Sequence, residues 1–167
     1  CVDVTNLSNN EKQLMTNLIQ NHFLNDKKVH FNPNINELFV YFKSHNKSSY
    51  ISLHYTNEKF IEEKKQNIGE DKKLIGCISS RPLEINFFKK HNGSLNIYYV
   101  DHLCVDSKYR NQKIAPQLIR TLYHKIRHTN YTTKVALFKR ENFDNFFIQP
   151  LTTYQSNIYK IENWFNE

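Results

Sequence analysis

Apolar positions recur at helical spacing in two segments of the chain. In the first, Ser8 and Glu11 form a capping-box pattern before a run of apolar residues three and four apart, which predicts a helix over residues 9–23. In the second, apolar residues repeat at the same spacing and predict a helix over residues 115–128. Both apolar stripes are expected to face the core.

Strand-like patterns occupy much of the rest. Alternating or continuous apolar runs rich in aromatic and β-branched residues predict strands over residues 37–42, 50–55, 74–87, 95–105 and 134–138. A turn over residues 90–93 joins the two longest of these runs, so they are expected to form an antiparallel hairpin.

One further short helix is predicted over residues 57–66, with Thr56 as its cap and Phe60 and Ile61 facing inward. Beyond Tyr154 the pattern has no clear period. The order of elements predicts an α/β (α+β) fold with a mixed, mostly antiparallel sheet flanked by helices, and not a doubly wound parallel sheet. Neither repeats nor a linker are visible, so residues 1–167 are expected to form a single domain.

Composition and charge narrow the classes of function. The net charge is +7, but acidic residues interrupt the strongest basic clusters, which indicates solvated faces rather than a nucleic-acid track. No apolar run approaches the ~18 residues of a membrane span, and no signal peptide is visible. The three cysteines lack metal-ligand spacing and are odd in number, which favours a reducing compartment. We therefore expect a cytoplasmic protein without metal, and, since it begins at Cys1, a piece of a longer chain.

The loop before the second long helix is the strongest candidate for a binding site. It runs from Arg110 to Ala115 and opens directly into the helix. The first N–H groups of a helix have no partners within it and lie at the positive end of its dipole, so with Arg110 and Lys113 beside them they suit a pyrophosphate. The alternative is that the amides and both cations are simply solvated.

This loop also resembles a known superfamily. Arg110–Ala115 is similar to the R/Q-x-x-G-x-G/A loop with which GNAT acyltransferases hold the pyrophosphate of coenzyme A. More specifically, Leu103–Ile119 resembles the L-C-V-x-x-K-x-R-x-x-x-x-A-P-x-L-I core of eukaryotic N-myristoyltransferases, whose Ala-Pro pair most acetyltransferases lack. Upstream, Lys73–Pro82 is similar to that family's K-L-V-G-F-I-S-A-I-P strand. Weaker similarities extend the resemblance to residues 14–26 and 55–122.

The resemblance is to the N-terminal half of these enzymes, which consist of two GNAT-like halves. It implies a GNAT-like domain with acyl-CoA (myristoyl-CoA or acetyl-CoA) as co-substrate and no tightly bound cofactor. The implied reaction transfers a fatty acyl group to the N-terminal amine of a peptide or protein. The family's second half supplies much of the peptide groove and a terminal carboxylate base, so a partner chain or missing second domain is expected, unless Glu167 or His102 substitutes for the base.

The resemblance also implies residue roles. The backbone N–H groups of His102 and Leu103 occupy the positions that polarise the thioester carbonyl in the family, and a bulge there would aim both at the oxyanion. Tyr154 could protonate the leaving thiolate. The implied CoA-binding residues are Leu103, Cys104, Val105, Arg110, Asn111, Gln112, Lys113, Ile114, Ala115 and Pro116.

Two side chains in this region allow more than one interpretation. The family has Phe where this chain has His102, which is either a base for the amine or an ordinary strand histidine, the second being favoured. Cys104 is interpreted as core packing because direct transfer from CoA needs no acyl-enzyme. Asp101 is expected on the other face of the strand from His102.

Two alternatives to fatty acyl transfer remain open from the sequence. An acetyltransferase acting on a protein or small amine would have a short acyl pocket. A catalytically silent acyl-CoA-binding or interaction domain would bind CoA without turnover.

Overall fold

The computed structural model describes residues 1–26, 29–62, 67–87 and 93–138 of the 167-residue chain. Two short 3₁₀ turns lie at Val4–Asn6 and Ser107–Tyr109. The helices and strands, in chain order, are β1 (Val2–Asp3), α1 (Asn9–His22), β2 (Asn25–Asp26), β3 (Val29–His30), α2 (Ile35–Val40), β4 (Tyr50–Glu62), β5 (Asn67–Phe87), β6 (Gly93–Val105), α3 (Ile114–Thr129) and β7 (Ala136–Phe138).

The main sheet has the order β1-β4-β5-β6-β7, and β2 pairs with β3 in a separate ribbon. All neighbours in the main sheet are antiparallel except β6 and β7, which are parallel and joined through α3. The predicted fold class, a mixed and mostly antiparallel sheet flanked by helices, is therefore confirmed.

The helices cover both faces of this sheet. Adjacent residues of β5 enter different cores, since Cys77 packs with α1 and α2 whereas Ile78 packs with α3. Side chains alternate between the faces of a strand, so α1 and α3 lie on opposite sides of the sheet. Each helix buries its apolar stripe there, with Met15, Leu18 and Ile19 on α1 and Leu118, Leu122 and Ile126 on α3.

Both long helices form as predicted. The capping box at the start of α1 is present: Ser8 Oγ accepts from the Glu11 amide at 3.2 Å, and Glu11 Oε2 accepts from the Ser8 amide at 2.8 Å. The hairpin of β5 and β6 is confirmed by its antiparallel register. Of its turn, Lys90, His91 and Asn92 lie outside the described residues.

The predicted strand over residues 37–42 is wrong, since α2 occupies Ile35–Val40. Asn34 Oδ1 accepts from the Glu37 amide at 3.0 Å, and Glu37 Oε2 accepts from the Asn34 amide at 2.9 Å, so a second capping box begins a helix here. Leu38 and Phe39 are buried on one face of this helix. A short apolar run fits a strand or a helix, and in this case the cap decides.

The predicted helix over residues 57–66 is also wrong. Strand β4 continues through this region to Glu62 and pairs antiparallel with β5 as far as Asn67. The facing part of β5 contains the strand-forming Ile68, which pairs with Ile61, and pairing with a neighbouring strand outweighs the local helical pattern. Residues 63–66 lie outside the described part of the chain.

The predicted strand over residues 134–138 forms only at Ala136–Phe138. Among the described residues, no helix is long and apolar enough to cross a membrane. The tail with Tyr154 and Glu167 lies outside the described residues, and so the roles considered for these two remain predictions.

Candidate active site

The loop from β6 to α3 is organised by a buried carboxylate. Asp106 is only 4% exposed, and its Oδ1 accepts from the Lys108 amide at 2.9 Å, which caps the 3₁₀ turn Ser107–Tyr109. Its own amide donates to Ile75 O at 2.9 Å, and its carbonyl accepts from the Tyr109 amide at 2.9 Å. The start of the loop is thereby fixed to β5.

Basic groups surround this carboxylate. His22 Nε2 lies 3.8 Å from Asp106 Oδ1, and Lys73 Nζ lies 3.7 Å from Oδ2. Burial raises the pKa of Asp106, but the hydrogen bond from Lys108 and the charges of His22, Lys73 and Lys108 outweigh it and hold that pKa below its ordinary value. Asp106 therefore connects the end of α1, strand β5 and the loop.

Arg110 closes the same junction from outside. Its Nη2 donates to His22 O at 3.0 Å, and its Nε donates to Val105 O at 3.4 Å. The last carbonyls of a helix lack partners within it, so Arg110 satisfies one of them at the end of α1. Among the described residues its Nη1 has no acceptor, which leaves one edge of the guanidinium able to bind an anion.

The turn into α3 uses two left-handed residues. Asn111 has φ 65° and Lys113 has φ 60°, a region that favours glycine. In the GNAT-like loop pattern a glycine stands where this chain has Lys113, so here a charged residue adopts the left-handed conformation at that position. No side chain caps α3, whose first N–H groups, at Ile114 and Ala115, lie beside Lys113.

Gly76 allows α3 to lie close to the sheet. A Cβ at this position would be 3.0 Å from Ile114 Cγ2, 3.1 Å from Leu118 Cδ1 and 3.6 Å from Cys104 O. The first turn of α3 therefore packs directly on the backbone of β5, at the point where β6 also changes its register. This contact sets the distance between the loop and the sheet.

Strand β6 bulges at the two residues predicted to form the oxyanion hole. Cys77 pairs with Cys104 and Ser79 with Asp101, so His102 and Leu103 together face Ile78. His102 has φ 51°, which turns its peptide unit away from the regular ladder. Its amide donates to Asp101 Oδ1 at 2.8 Å, so one of the two predicted oxyanion donors is occupied by the chain's own carboxylate.

The His102 ring is enclosed by aromatic residues. It is 7% exposed and lies 5.8 to 6.3 Å, between ring centroids, from Phe23, Phe31 and Phe42. Its Nδ1 lies 2.9 Å from Ser79 Oγ, and Asp101 contacts the amide rather than the ring. Burial lowers the pKa of His102; the Asp101 charge raises it and the Arg81 charge lowers it further, which leaves it below 6.5.

Both cysteines near the bulge are buried. Cys77 is fully buried and Cys104 is 3% exposed, and each thiol lies near a backbone carbonyl, that of His102 and that of Leu18 respectively. Burial raises the pKa of Cys104 to about 12 and that of Cys77 well above its ordinary value. A thiol in this state is a poor nucleophile, which agrees with the packing role assigned to Cys104.

The residues predicted to bind CoA lie at the end of β6, in the loop and in the first turn of α3. Cys104 and Ile114 are buried in the cores on opposite faces of the sheet, and Leu103, Val105, Ala115 and Pro116 are half-buried. The exposed members, which a soluble anion can reach, are Arg110, Asn111, Gln112 and Lys113.

Three residues of this region were missed from the sequence: Gly76 as a packing point, Ser79 as the partner of His102, and Asp106 as the centre of the loop. For Ser79 and Asp106 the available signals were slight: two serines in an otherwise apolar strand and an acidic residue between a strand and a short turn. Their partners are distant in sequence, and no local pattern identifies them.

Solved structures of several acyltransferases are similar to this chain in fold. Saccharomyces cerevisiae N-myristoyltransferase with bound MyristoylCoA matches with a TM-score of 0.55 and 17% identity, over 83% of this chain and 29% of that one. An aminoglycoside acetyltransferase, meta-AAC0020, from an uncultured soil metagenomic sample matches with a TM-score of 0.55 and 14% identity, over 92% and 93%. A GNAT family acetyltransferase from Staphylococcus aureus matches with a TM-score of 0.52 and 12% identity, over 91% and 95%.

At these identities the structural matches establish the fold, which is the GNAT fold. No curated protein matches the sequence. A family model does match, over residues 1–139, and it is described as Myristoyl-CoA:protein N-myristoyltransferase, N-terminal domain. The chain therefore belongs to the N-terminal domain family of the N-myristoyltransferases.

Proposed function

We propose that this domain is an acyl-CoA-dependent N-acyltransferase. It transfers a fatty acyl group, with myristoyl as the preferred chain, to the N-terminal amine of a peptide or protein. The observation that carries the proposal is the bulge at His102 and Leu103 followed by the left-handed loop at the start of α3. An element suited to polarising a carbonyl is thus followed in the chain by an element suited to binding an anion.

The loop would hold the phosphates of CoA. The first amides of α3, at Ile114 and Ala115, supply hydrogen-bond donors at the positive end of the helix, and Lys113 supplies a charge beside them. Arg110 adds the free edge of its guanidinium. The structural role of Arg110 at the end of α1 makes Lys113 the cleaner probe of phosphate binding.

The acyl thioester would lie with its carbonyl oxygen at the bulge. In direct transfer, the amine attacks the carbonyl carbon, and preorganised N–H groups stabilise the developing oxyanion. The amide of His102 can contribute only when Asp101 releases it, because that carboxylate accepts the same N–H at 2.8 Å. Binding of a cationic amine near Asp101 would favour this release.

A partner chain or second domain would complete the peptide groove. The chain spans 29% of the yeast N-myristoyltransferase to which it is similar. In the enzymes that this chain resembles, the second half carries much of the peptide site. A partner chain or second domain would therefore supply the surface on which the acceptor binds.

An acetyltransferase function is the second candidate. It is favoured by the two acetyltransferase structures, because the match with this chain covers 93% and 95% of their length. The match covers 29% of the yeast N-myristoyltransferase. These enzymes match this chain as whole proteins, without a second half.

Calorimetric titration with acetyl-CoA and myristoyl-CoA distinguishes these functions. Each buried methylene contributes about 0.8 kcal/mol, so burial of only four would tighten binding roughly 200-fold. Much tighter binding of myristoyl-CoA, together with mass-spectrometric detection of an acylated peptide, would support the proposal. Equal affinities with acetyl transfer would favour the second candidate, and binding without turnover would favour a silent domain.

Charge reversal tests the phosphate site. Lys113→Glu should weaken binding of CoA itself by at least tenfold at low salt, whereas Lys134→Glu, an exposed residue outside the loop, should not. Undiminished affinity in the Lys113 variant would exclude the loop as the phosphate site.

A further inference from the structure

The His102 ring belongs to a hydrogen-bonded group that the oxyanion geometry does not use. Ser79 Oγ lies 2.9 Å from His102 Nδ1 and 3.1 Å from the carbonyl oxygen of Asp101. Both contacts have hydrogen-bond distances, and the site is buried, so each polar group needs its partner.

Only one placement of the protons makes both contacts hydrogen bonds. A carbonyl oxygen only accepts, so Ser79 must donate its single hydroxyl proton to Asp101 O. For the second contact, the proton must then come from the ring, and Nδ1–H donates to Ser79 Oγ. A neutral imidazole carries one N–H, so Nε2 holds the free lone pair.

Nε2 has no hydrogen-bond partner among the described residues, although the whole residue is only 7% exposed. The ring is held on its other sides by Phe23, Phe31 and Phe42, which come from three different segments and offer no polar atom. Nε2 is also not among the fully buried side-chain atoms that lack a partner, so its lone pair is available to a group that approaches the ring.

The residue that carries this ring forms the first half of the β6 bulge, where the thioester carbonyl would bind. A nucleophile that attacks this carbonyl must approach within a few ångströms of the same residue. The enclosure by aromatic side chains limits how far the ring can rotate away.

We propose that Nε2 of His102 is the general base that takes the proton from the attacking amine, and that Ser79 is a positioning residue that holds the ring in its Nδ1–H form. The proposal rests on the acyl-transfer function proposed above and assigns its base to this chain rather than to a second domain.

The reaction balances without another reactant. The amine nitrogen forms a bond to the thioester carbon while the carbonyl π electrons move to oxygen, and Nε2 accepts the proton that the nitrogen loses. The oxyanion then collapses, the carbon–sulfur bond breaks, and the CoA thiolate leaves with that proton from the imidazolium. The products are an amide and the CoA thiol.

The charges around the ring suit this role. Strand β6 contributes Asp101, which favours the imidazolium formed during transfer, and strand β5 contributes Arg81, which opposes it. In the described part of the chain, the segments with ring contacts to His102 contribute Phe23, Phe31 and Phe42, which carry no charge. Burial, the largest effect, lowers the pKa of His102 below its ordinary value, so at neutral pH the ring is neutral and able to accept a proton.

The tautomer is testable without substrate. Proton–nitrogen correlation spectra of the ¹⁵N-labelled chain should show the His102 ring protonated at Nδ1 and unprotonated at Nε2. Ser79→Ala should shift it toward the Nε2–H form, whereas Ser79→Thr, which keeps the hydroxyl, should not. A wild-type ring protonated at Nε2 would overturn the proposal.

Kinetics test the base. An N-terminal amine has a pKa of about 8, so log(kcat/KM) should fall with slope one below that pH and slope two below the pKa of His102. His102→Gln and His102→Phe should keep slope one and lose about 100-fold or more in kcat, the range expected for a general base. Ser79→Ala should lower kcat with unchanged affinity for acyl-CoA.

Variants as active as the wild type, with slope two retained, would exclude His102 as the base while leaving acyl transfer itself established. A wild-type chain that transfers no acyl group would overturn both the proposed function and this inference. The two variants guard against a folding defect, because His102→Phe preserves the aromatic packing and His102→Gln preserves polarity.

Discussion

The amide of His102 and the carboxylate of Asp101 are joined by a hydrogen bond of 2.8 Å, within one strand and between adjacent residues. Burial lowers the pKa of His102; the Asp101 charge beside the ring opposes this effect, and the Arg81 charge adds to it. Asp101 and His102 thus bring a carboxylate, an amide and an imidazole together at the start of the bulge.

Opposite charge deletions should move the His102 pKa in opposite directions. Asp101→Asn should lower it, because a favourable charge is lost, and Arg81→Gln should raise it, because an unfavourable charge is lost. Proton NMR titration of the ring in each variant measures both shifts. Shifts of the same sign in the two variants would contradict this arrangement of charges.

Acid should destabilise the protein partly through His102. Its folded-state pKa is lowered, so the unfolded chain binds the proton more tightly, and stability is lost as pH falls from about 6.5 through the folded value. Each unit of lowering corresponds to about 1.4 kcal/mol. Urea unfolding at several pH values should show a smaller loss in His102→Phe than in the wild type between pH 7 and 5, and equal losses would contradict a buried neutral ring.

Gly76→Ala should push α3 away from the sheet. The added methyl would meet Ile114 Cγ2 at 3.0 Å and Leu118 Cδ1 at 3.1 Å, and overpacking of this kind costs about 1–3 kcal/mol. Because α3 carries the phosphate loop, CoA affinity should fall as well.

The matched control for that variant is Ile78→Val. It removes a methylene from a fully buried neighbour on the same face and costs about 0.5–1.5 kcal/mol without displacing the helix. Calorimetry should find CoA affinity reduced in the Gly76 variant and retained in the Ile78 variant. Equal affinities in both would show that the spacing of α3 does not govern the loop.

Arg110 and Lys113 should differ in their effect on stability. Arg110→Gln loses the exposed hydrogen bonds to His22 O and Val105 O and should lower the free energy of unfolding by about 1 kcal/mol in the absence of CoA. Lys113→Gln removes a charge from a side chain that caps nothing and should leave stability within about 0.5 kcal/mol. Thermal unfolding without and with CoA separates the structural from the binding contribution, and a Lys113 variant as unstable as that of Arg110 would contradict the assignment.

Local signals were enough for α1, α3 and the hairpin, since each is defined by neighbours in the sequence, such as the pair Ser8 and Glu11. The same kind of signal, Asn34 with Glu37, marked α2, but the apolar run after it was assigned to a strand. The extension of β4 to Glu62 depends on its pairing with β5. The local pattern of residues 57–66 gives no sign of this pairing.

In the site as well, some features follow from consecutive residues and others only from tertiary packing. The loop and the bulge were located from consecutive residues and from the resemblance they carry. The bonds from Arg110 to His22 and from Ser79 to His102 span 88 and 23 positions, so they arise only when α1 and β5 pack against β6. Tertiary packing therefore decides which polar groups are occupied and which remain free to react.

The pair of buried thiols beside the bulge offers a way to observe the site opening. Cys77 and Cys104 are directly paired across β5 and β6 on the α1 side of the sheet, whereas Cys1 is exposed. A thiol reagent can modify the inner pair only when α1 lifts or the two strands separate, since their high pKa values and burial prevent reaction in the closed state. The rate of their modification therefore measures how often the bulge unfolds locally, and a ligand that binds there should lower this rate.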